Sequence, residues 1–431
     1  MSEKYKVGLS RNRLFEFDNA VVFCGRLQGY AFEEYAKALK VLALKEPMIT
    51  SKAVLSDDGE CFVETDAVEP AFLVSELTAD EVKKDLSDNG VDFTKGLFSF
   101  ILTSDGYMII SAHTLVADCK SLLRLAMAFA SICKSKTTSV NPSRIDTFCD
   151  MASLPMEVNS PLTDKLSAEL DNKWQKKSRS FTSDDYNRAK LKYSDKRNYS
   201  DEIKIELNET QTVGLKDFCS ENKVDLSSVV AFCFYKELSD LVKPQKKHGK
   251  LCIHADRRLF LADAEDVSVG PFNGFCESYL GKKEQGLGLN EQIKAFHLSC
   301  YKGVTSPFKT FYDEVLLMKV SSSFCDSAYM HLAGLVNDKA SKKLAYNYGC
   351  CNNQLCEFFS CNLEQNYWSG LKSFDDVSVT EPLKNRFCAN VSLLVADGKC
   401  RIIVKFNNSR LALGQSESVV EGVKSLLTKI K

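Results

Sequence analysis

Of five histidines in 431 residues, one stands where acid–base chemistry is most readable. The stretch Ser111-Ala-His-Thr-Leu-Val-Ala-Asp-Cys-Lys-Ser121 sets His113 and Asp118 on either side of a short segment. Imidazole has an ordinary pKa close to neutrality, which suits it to take a proton from an alcohol or amine during acyl transfer. The hydroxyl of Thr114 ionises far too high for that work. Cys119 is a candidate thiol nucleophile, but no base adjoins it in sequence. Ser121 stands where its side-chain oxygen would cap a following helix.

These residues need elements to hold them. Phe98–Leu102 and Tyr107–Ile110 are apolar runs around Asp105-Gly106, a strong hairpin signal. Leu122, Leu123, Leu125, Ala126, Met127, Phe129 and Ala130 mark an apolar helix after the loop. Upstream, Ala20–Cys24 is a short strand, and Phe32, Tyr35, Ala36, Leu39, Leu42 and Ala43 fall at helical spacing. Lys52–Leu55 and Cys61–Glu64 flank Asp58-Gly59, another hairpin. Residues 134–200 turn polar, with a charge run over Lys173–Arg179 that reads as a solvated face. Beyond it, Ile203, Ile205 and Leu207 alternate as a strand, and the segments around Val213–Phe218 and Val229–Tyr235 read as two helices, the second largely buried. Leu251–His254 is a short buried strand. Val391–Val395 and Cys400–Phe406 flank a third hairpin turn, Asp397-Gly398, before an amphipathic terminal helix over Val419–Ile430. The expected organisation is α+β, with an N-terminal lobe over 1–150, a crossover over 151–200 and a C-terminal lobe over 201–431.

Composition narrows the function classes. A net charge of −1 gives no bulk attraction to nucleic acid or anionic membranes. No run reaches the length of a membrane span and no apolar leader follows Met1, so a cytoplasmic protein is expected. Seventeen cysteines is an odd number at irregular spacing, which argues against a disulfide framework. The densest group, Cys350, Cys351, Cys356 and Cys361, lacks paired Cys-x-x-Cys spacing and has no His among it, so no metal site is expected.

The stretch from His113 to Cys119 resembles the His-His-x-x-x-Asp-Gly motif of the chloramphenicol acetyltransferase-like superfamily, which includes nonribosomal peptide condensation domains and alcohol acyltransferases. Aligned on Asp118, His113 takes the first His position, Thr114 the second and Cys119 that of the Gly. Other segments are similar in order: Val21–Pro47 to the opening strand and helix, Gly96–Phe100 to the run before the motif hairpin, and Ile203–Leu238 to the start of the second lobe. His254-Ala-Asp-Arg-Arg258 with Val269-Gly-Pro-Phe-Asn273 resembles the Asp-x-Arg and Val-Gly-x-Phe segments, and Ala345–Gly349 resembles a late Ser-Asn-x-Gly strand.

The resemblance implies two chloramphenicol acetyltransferase-like lobes in a V around a central cleft or tunnel. It implies an acyl thioester donor, on coenzyme A or on the phosphopantetheine arm of an acyl or peptidyl carrier protein, and an alcohol or amine acceptor. No permanently bound cofactor is implied. In the family the second His is the general base, and here that place holds Thr114. His113 and Thr114 are the catalytic candidates. His113 is either a buried His bonded to the motif turn or, if the register slips by one residue, the base itself. Asp118 is expected to pair with Arg257 or Arg258. Cys119, Ser121, Asn273 and Gly274 are candidates to line the tunnel, while Gly270 and Pro271 turn the chain. His254, His297 and His331 lie in apolar segments and read as core residues; His248 reads as exposed. The functional expectation is acyl transfer from a thioester. The alternatives are a catalytically silent relative that binds a ligand, carrier arm or partner in the inherited cleft, and a structural or docking module.

Overall fold

The computed structural model describes residues 4–6, 19–27, 29–55, 61–92, 95–135, 160–175, 181–194, 198–241, 249–260, 269–347, 354–384 and 387–430. Its strands are β1 (Lys4–Lys6), β2 (Ala20–Leu27), β3 (Lys52–Leu55), β4 (Cys61–Glu64), β5 (Phe72–Val74), β6 (Phe98–Leu102), β7 (Met108–His113), β8 (Ile203–Leu207), β9 (Lys250–Asp256), β10 (Asn273–Ser278), β11 (Gln354–Asn362), β12 (Phe374–Thr380), β13 (Ala389–Ala396) and β14 (Lys399–Phe406). They form a five-stranded sheet in the order β12-β2-β7-β6-β5, a six-stranded sheet in the order β10-β9-β11-β13-β14-β8, and a small β1-β4-β3 sheet.

Alternation along β2 explains the first lobe. Val21 and Phe23 enter a core shared with helices Phe32–Lys45 and Cys119–Ser135, while Ala20, Val22 and Cys24 meet helix Ala79–Asn89 on the other face. In the second lobe, helix Leu226–Leu241 buries Val229 to Tyr235 without a break, because it packs between the six-stranded sheet and helices Leu289–Val304 and Gln415–Lys429. The β13–β14 hairpin turns on Asp397 (φ 51°) and Gly398 (φ 72°), the two positive dihedrals that an Asp-Gly hairpin loop supplies. Strands β3 and β4 pair antiparallel, and their turn at Asp58-Gly59 lies outside the described residues.

The chain does not keep to the lobe that a 201–431 boundary assigns it. After β11, residues 363–373 cross to the first lobe, where Trp368 and Leu371 join its core, and β12 pairs antiparallel with β2. The chain then returns through Glu381–Lys384 to β13 in the second sheet.

Two sequence expectations change. Of the Ala345–Gly349 segment, expected as a strand, residues 345–347 end helix Lys339–Asn347 and the other two lie outside the described residues. Asp338 Oδ1 accepts the Ala340 and Ser341 N–H groups at 2.9 Å each, a cap that starts a helix in front of a segment with strand-like composition. The charge run at 173–179 is not wholly solvated either. Trp174, in helix Pro161–Gln175, is buried and stacks on Phe324 at 5.2 Å between ring centroids.

The thirteen cysteines with described side chains are all buried. Among the described residues no helix is long and apolar enough to cross a membrane. No group of three or more His, Cys, Asp or Glu there is disposed to hold a metal ion.

Strand β10 runs close beneath helix Pro307–Met318. A Cβ on Gly274 would lie 2.4 Å from Thr310 Cγ2, 2.8 Å from the Thr310 carbonyl oxygen and 3.0 Å from Arg257 Nε. Gly274→Ala should therefore destabilise the protein by about 1–3 kcal/mol through overpacking, read as a lower urea midpoint; an unchanged midpoint would mean that strand and helix separate freely.

Candidate functional site

The motif loop lies between β7 and helix Cys119–Ser135, and backbone bonds set its path. The His113 N–H donates to the Leu97 carbonyl (2.9 Å), Thr114 N–H to Asn19 (3.1 Å) and Val116 N–H to His113 (3.0 Å). Leu115 and Val116 pack with Leu97, Tyr329 and Met330, which pins the loop to the interior. Asp118 is the cap of the helix: its Oδ1 accepts the Ser121 N–H at 2.8 Å.

The Asp118 carboxylate also meets the second lobe. Arg258 Nη1 donates to Oδ2 at 2.9 Å and Nη2 to Oδ1 at 3.1 Å, a bidentate pair with both residues about 2% exposed. Ser121 Oγ lies 2.8 Å from Asp118 Oδ1, receives Arg258 Nη2 at 2.8 Å and the Gly270 N–H at 3.0 Å, and faces the Gly270 carbonyl at 3.0 Å. Arg258 stacks over Phe272 at 4.4 Å and donates to Asp256 Oδ1 at 3.2 Å. Lys120 Nζ closes on Asp256 Oδ2 at 2.9 Å. Burial opposes charge on Asp256, but Lys120 and Arg258 outweigh it and hold its carboxyl below the usual range. Arg257 turns the other way, giving Nε and Nη2 to the Thr310 carbonyl at 3.2 and 3.0 Å.

The remaining sequence candidates separate. His113 is 0% exposed and its Nδ1 accepts the Leu115 N–H at 3.1 Å. Burial, and then the nearby Lys190 charge, push its pKa down to about 4, so it is neutral at pH 7. Thr114 is half-buried beside it. Cys119 and Ser121, expected along the tunnel, are instead fully buried, the first in the core and the second in the Asp118 network. Cys119 begins an ordinary helix and is not among the residues with positive φ, so replacing the family's Gly carries no backbone strain here. Gly274 faces the Thr310 layer rather than a tunnel. Asn273 is half-buried, and its Nδ2 donates to Glu381 Oε1.

Glu381 was not singled out by sequence. It follows β12 as the chain leaves the first sheet, and its Oε1 also accepts the Cys119 N–H at 3.2 Å. Around it lies a buried charged group. His254 Nε2 is 3.0 Å from Glu357 Oε1, His254 Nδ1 is 3.9 Å from Glu381 Oε1, and Lys384 Nζ is 3.2 Å from Glu357 Oε1. Phe275 and Phe359 pack edge-on against the His254 ring. Burial raises the Glu381 pKa; Glu357 and Asp118 add to the rise, while His254 and Lys384 oppose it. His254 is thus a core residue, as its apolar segment indicated, but one set among carboxylates. The sequence signal for this group was Glu357, a lone charge in the apolar run Leu355–Phe359. Of the other histidines, His297 Nδ1 meets Ser228 Oγ (3.1 Å), His331 Nδ1 meets the Val336 carbonyl (2.8 Å), and His248 lies outside the described residues.

No known family's sequence profile matches the chain, and a search of curated proteins finds no match. Solved structures do match over nearly the whole length. The epimerization domain from the third module of tyrocidine synthetase B is 16% identical, with 99% of this chain and 96% of that one covered at a TM-score of 0.63. The trichothecene 15-O-acetyltransferase of Fusarium sporotrichioides is 9% identical, covering 100% and 96% at 0.64. The condensation domain from the Monacolin K polyketide synthase MokA is 10% identical, covering 99% and 97% at 0.62. The chain shares the fold of these epimerization, acetyltransferase and condensation proteins. Within this fold, the Asp118–Arg258 pair joins the motif loop of one lobe to the turn Arg257–Phe260 after β9 in the other.

Two outcomes follow. Asp118→Ala strips the buried Arg258 guanidinium of its bidentate partner, leaving it the single contact to the Asp256 carboxylate, and should cost about 3–5 kcal/mol, with Asp118→Ala/Arg258→Met recovering much of the loss in urea denaturation. His113 binds its proton more weakly folded than unfolded. Stability should therefore fall as pH drops from about 6.5, the ordinary value, and level off below about 4, a loss of about 3 kcal/mol that His113→Gln removes.

Proposed function

We propose that the protein is acyltransferase-like: its interlobe cleft takes a thioester-linked acyl donor, on coenzyme A or a carrier phosphopantetheine arm, and an alcohol or amine acceptor. The fold supports this, since proteins sharing it over their whole length include a condensation domain and an O-acetyltransferase. The observation that carries the finer reading is the bidentate Asp118–Arg258 pair with neutral, enclosed His113 beside it. In this arrangement the motif is a clamp between lobes. Its two catalytic candidates do not act as a histidine base: Thr114 has no basic group and His113 is held in the loop's own hydrogen bonds.

Transfer is accordingly slow. Losing the histidine base of the motif typically costs about 10²–10⁴ in rate, while holding donor and acceptor together and any weaker base nearby retain part of the acceleration. The same enclosure of His113 favours a second reading, a silent relative that binds the thioester without turnover.

Thiol release from short and medium acyl-CoA donors, with simple alcohols and amines as acceptors, tests both. The wild type should be slow, and Thr114→His should raise turnover on the order of 10²-fold. Brisk wild-type transfer abolished by His113→Ala, with folding intact, would make His113 the base and defeat the clamp reading. Binding of acyl-CoA with no thiol release from either protein would favour the silent relative.

A further inference from the structure

The lobes leave a cleft of two adjoining cavities, the inner one walled in part by Glu381. Its outer part, about 320 Å³, is walled by Asp80, Lys84 and Asp201 among others, and these three side chains are largely exposed. Its inner part, about 30 Å³, has room for a water or two and is walled by buried Asn19, Ala20, Val22, Leu383, Asn390 and Glu381. The two parts share Lys83, Tyr199, Glu202 and Lys405, with the Lys83–Glu202 ion pair (2.8 Å) at the junction. Both lobes contribute walls, helix Ala79–Asn89 and β2 from one, β13 and β14 from the other. Asn19, whose carbonyl holds the Thr114 N–H, stands on the inner wall.

We propose that Glu381 is the proton acceptor for acyl transfer and that the acceptor substrate, entering by the outer part of this passage, reaches it through water held in the inner part; the proposal rests on the acyltransferase reading above. Glu381 lines the inner cavity, and its carboxylate accepts both the Cys119 N–H of the motif and Asn273 Nδ2 of β10. Behind it, His254 Nδ1 has no hydrogen-bond partner among the described residues and faces Glu381 Oε1 at 3.9 Å, in a side chain about 4% exposed. Glu357 and Lys384 fix the far side of that imidazole. His254 is a positioning residue, setting the charge environment of Glu381 rather than touching substrate.

The step balances. The acceptor O–H or N–H gives its proton to a water of the inner cavity, which passes one on to the Glu381 carboxylate, as the acceptor atom bonds to the thioester carbonyl carbon. The C–S bond then breaks, and the departing thiolate takes the proton from Glu381. A carboxylate in water is a weak base for this work; burial raises its affinity for a proton toward the useful range. The groups facing it are Asp118 and Cys119 from the motif, Asn273 on β10, His254 on β9, Glu357 on β11, and Lys384. The unprotonated form is active, so the rate should rise with pH and reach a plateau.

The test uses the full chain with octanoyl-CoA and ethanolamine, following thiol release against pH and octanoyl-CoA affinity by calorimetry. Glu381→Gln, which keeps the oxygen that receives Cys119 and Asn273, should lose about 100-fold in rate and the rising limb while binding octanoyl-CoA as before. His254→Asn, which removes a group that favours the ionised carboxyl, should move the rising limb to higher pH. Ser87→Trp, at a half-buried helix position on the inner wall, should block the passage and cut thiol release without lowering the melting temperature; it decides the matter if Glu381→Gln fails to fold. A Glu381→Gln protein with wild-type rate and pH limb, or unhindered release from Ser87→Trp, overturns the proposal and leaves the acyltransferase reading standing. Wild-type binding of octanoyl-CoA without thiol release at any pH also overturns it. Absence of octanoyl-CoA binding overturns the acyltransferase reading and the proposal together.

Discussion

A buried charge pair across the lobes organises much of this molecule. Taking Asp118 and Arg258 out of water is costly, and their mutual attraction offsets that cost only with matched geometry and further hydrogen bonds. The structure provides both: two parallel N–H···O bonds, the Ser121 hydroxyl, the cap on the motif helix, and the Phe272 face under the guanidinium. Because Asp118 both starts a helix in one lobe and holds an arginine from the other, helix position and lobe position are linked. The pair's value is therefore geometric more than energetic. It fixes where the cleft walls stand.

That linkage was visible in the sequence because it uses short motifs. His113, Asp118, Arg257 and Arg258 fall in segments whose order resembles a known fold, and the choice between the two arginines needed coordinates, since neighbours on a chain point differently. The hairpins were legible from Asp-Gly pairs, and the buried helix from the unbroken run Val229–Tyr235. Cys119 aligns with a Gly position; its place at the first position of a helix with ordinary φ leaves room for a side chain.

The less legible parts are those set by long-range packing. Phe374–Thr380 alternates like any half-buried strand, and nothing local says that it joins the sheet of the other lobe. Glu381 gains its meaning from that same excursion, because the return from β12 carries it to the motif helix. Residues 345–347 have strand-like composition, yet an upstream Asp cap and the burial of Leu344 keep them helical. In each case a tertiary partner overrides what the local pattern suggests.

The β12 excursion also has a consequence for synthesis. Val22 pairs with Thr380, so the first sheet waits for a strand that is made long after β2. Until then β2 is an open edge, with unpaired backbone N–H and C=O groups on an apolar strand, the kind of surface on which nascent chains aggregate. Closing so long a loop is slow relative to local pairing. The first sheet is begun with β2 and completed only once β12 has been made, and a nascent chain stalled before β12 would be a substrate for chaperones rather than a folded half-protein.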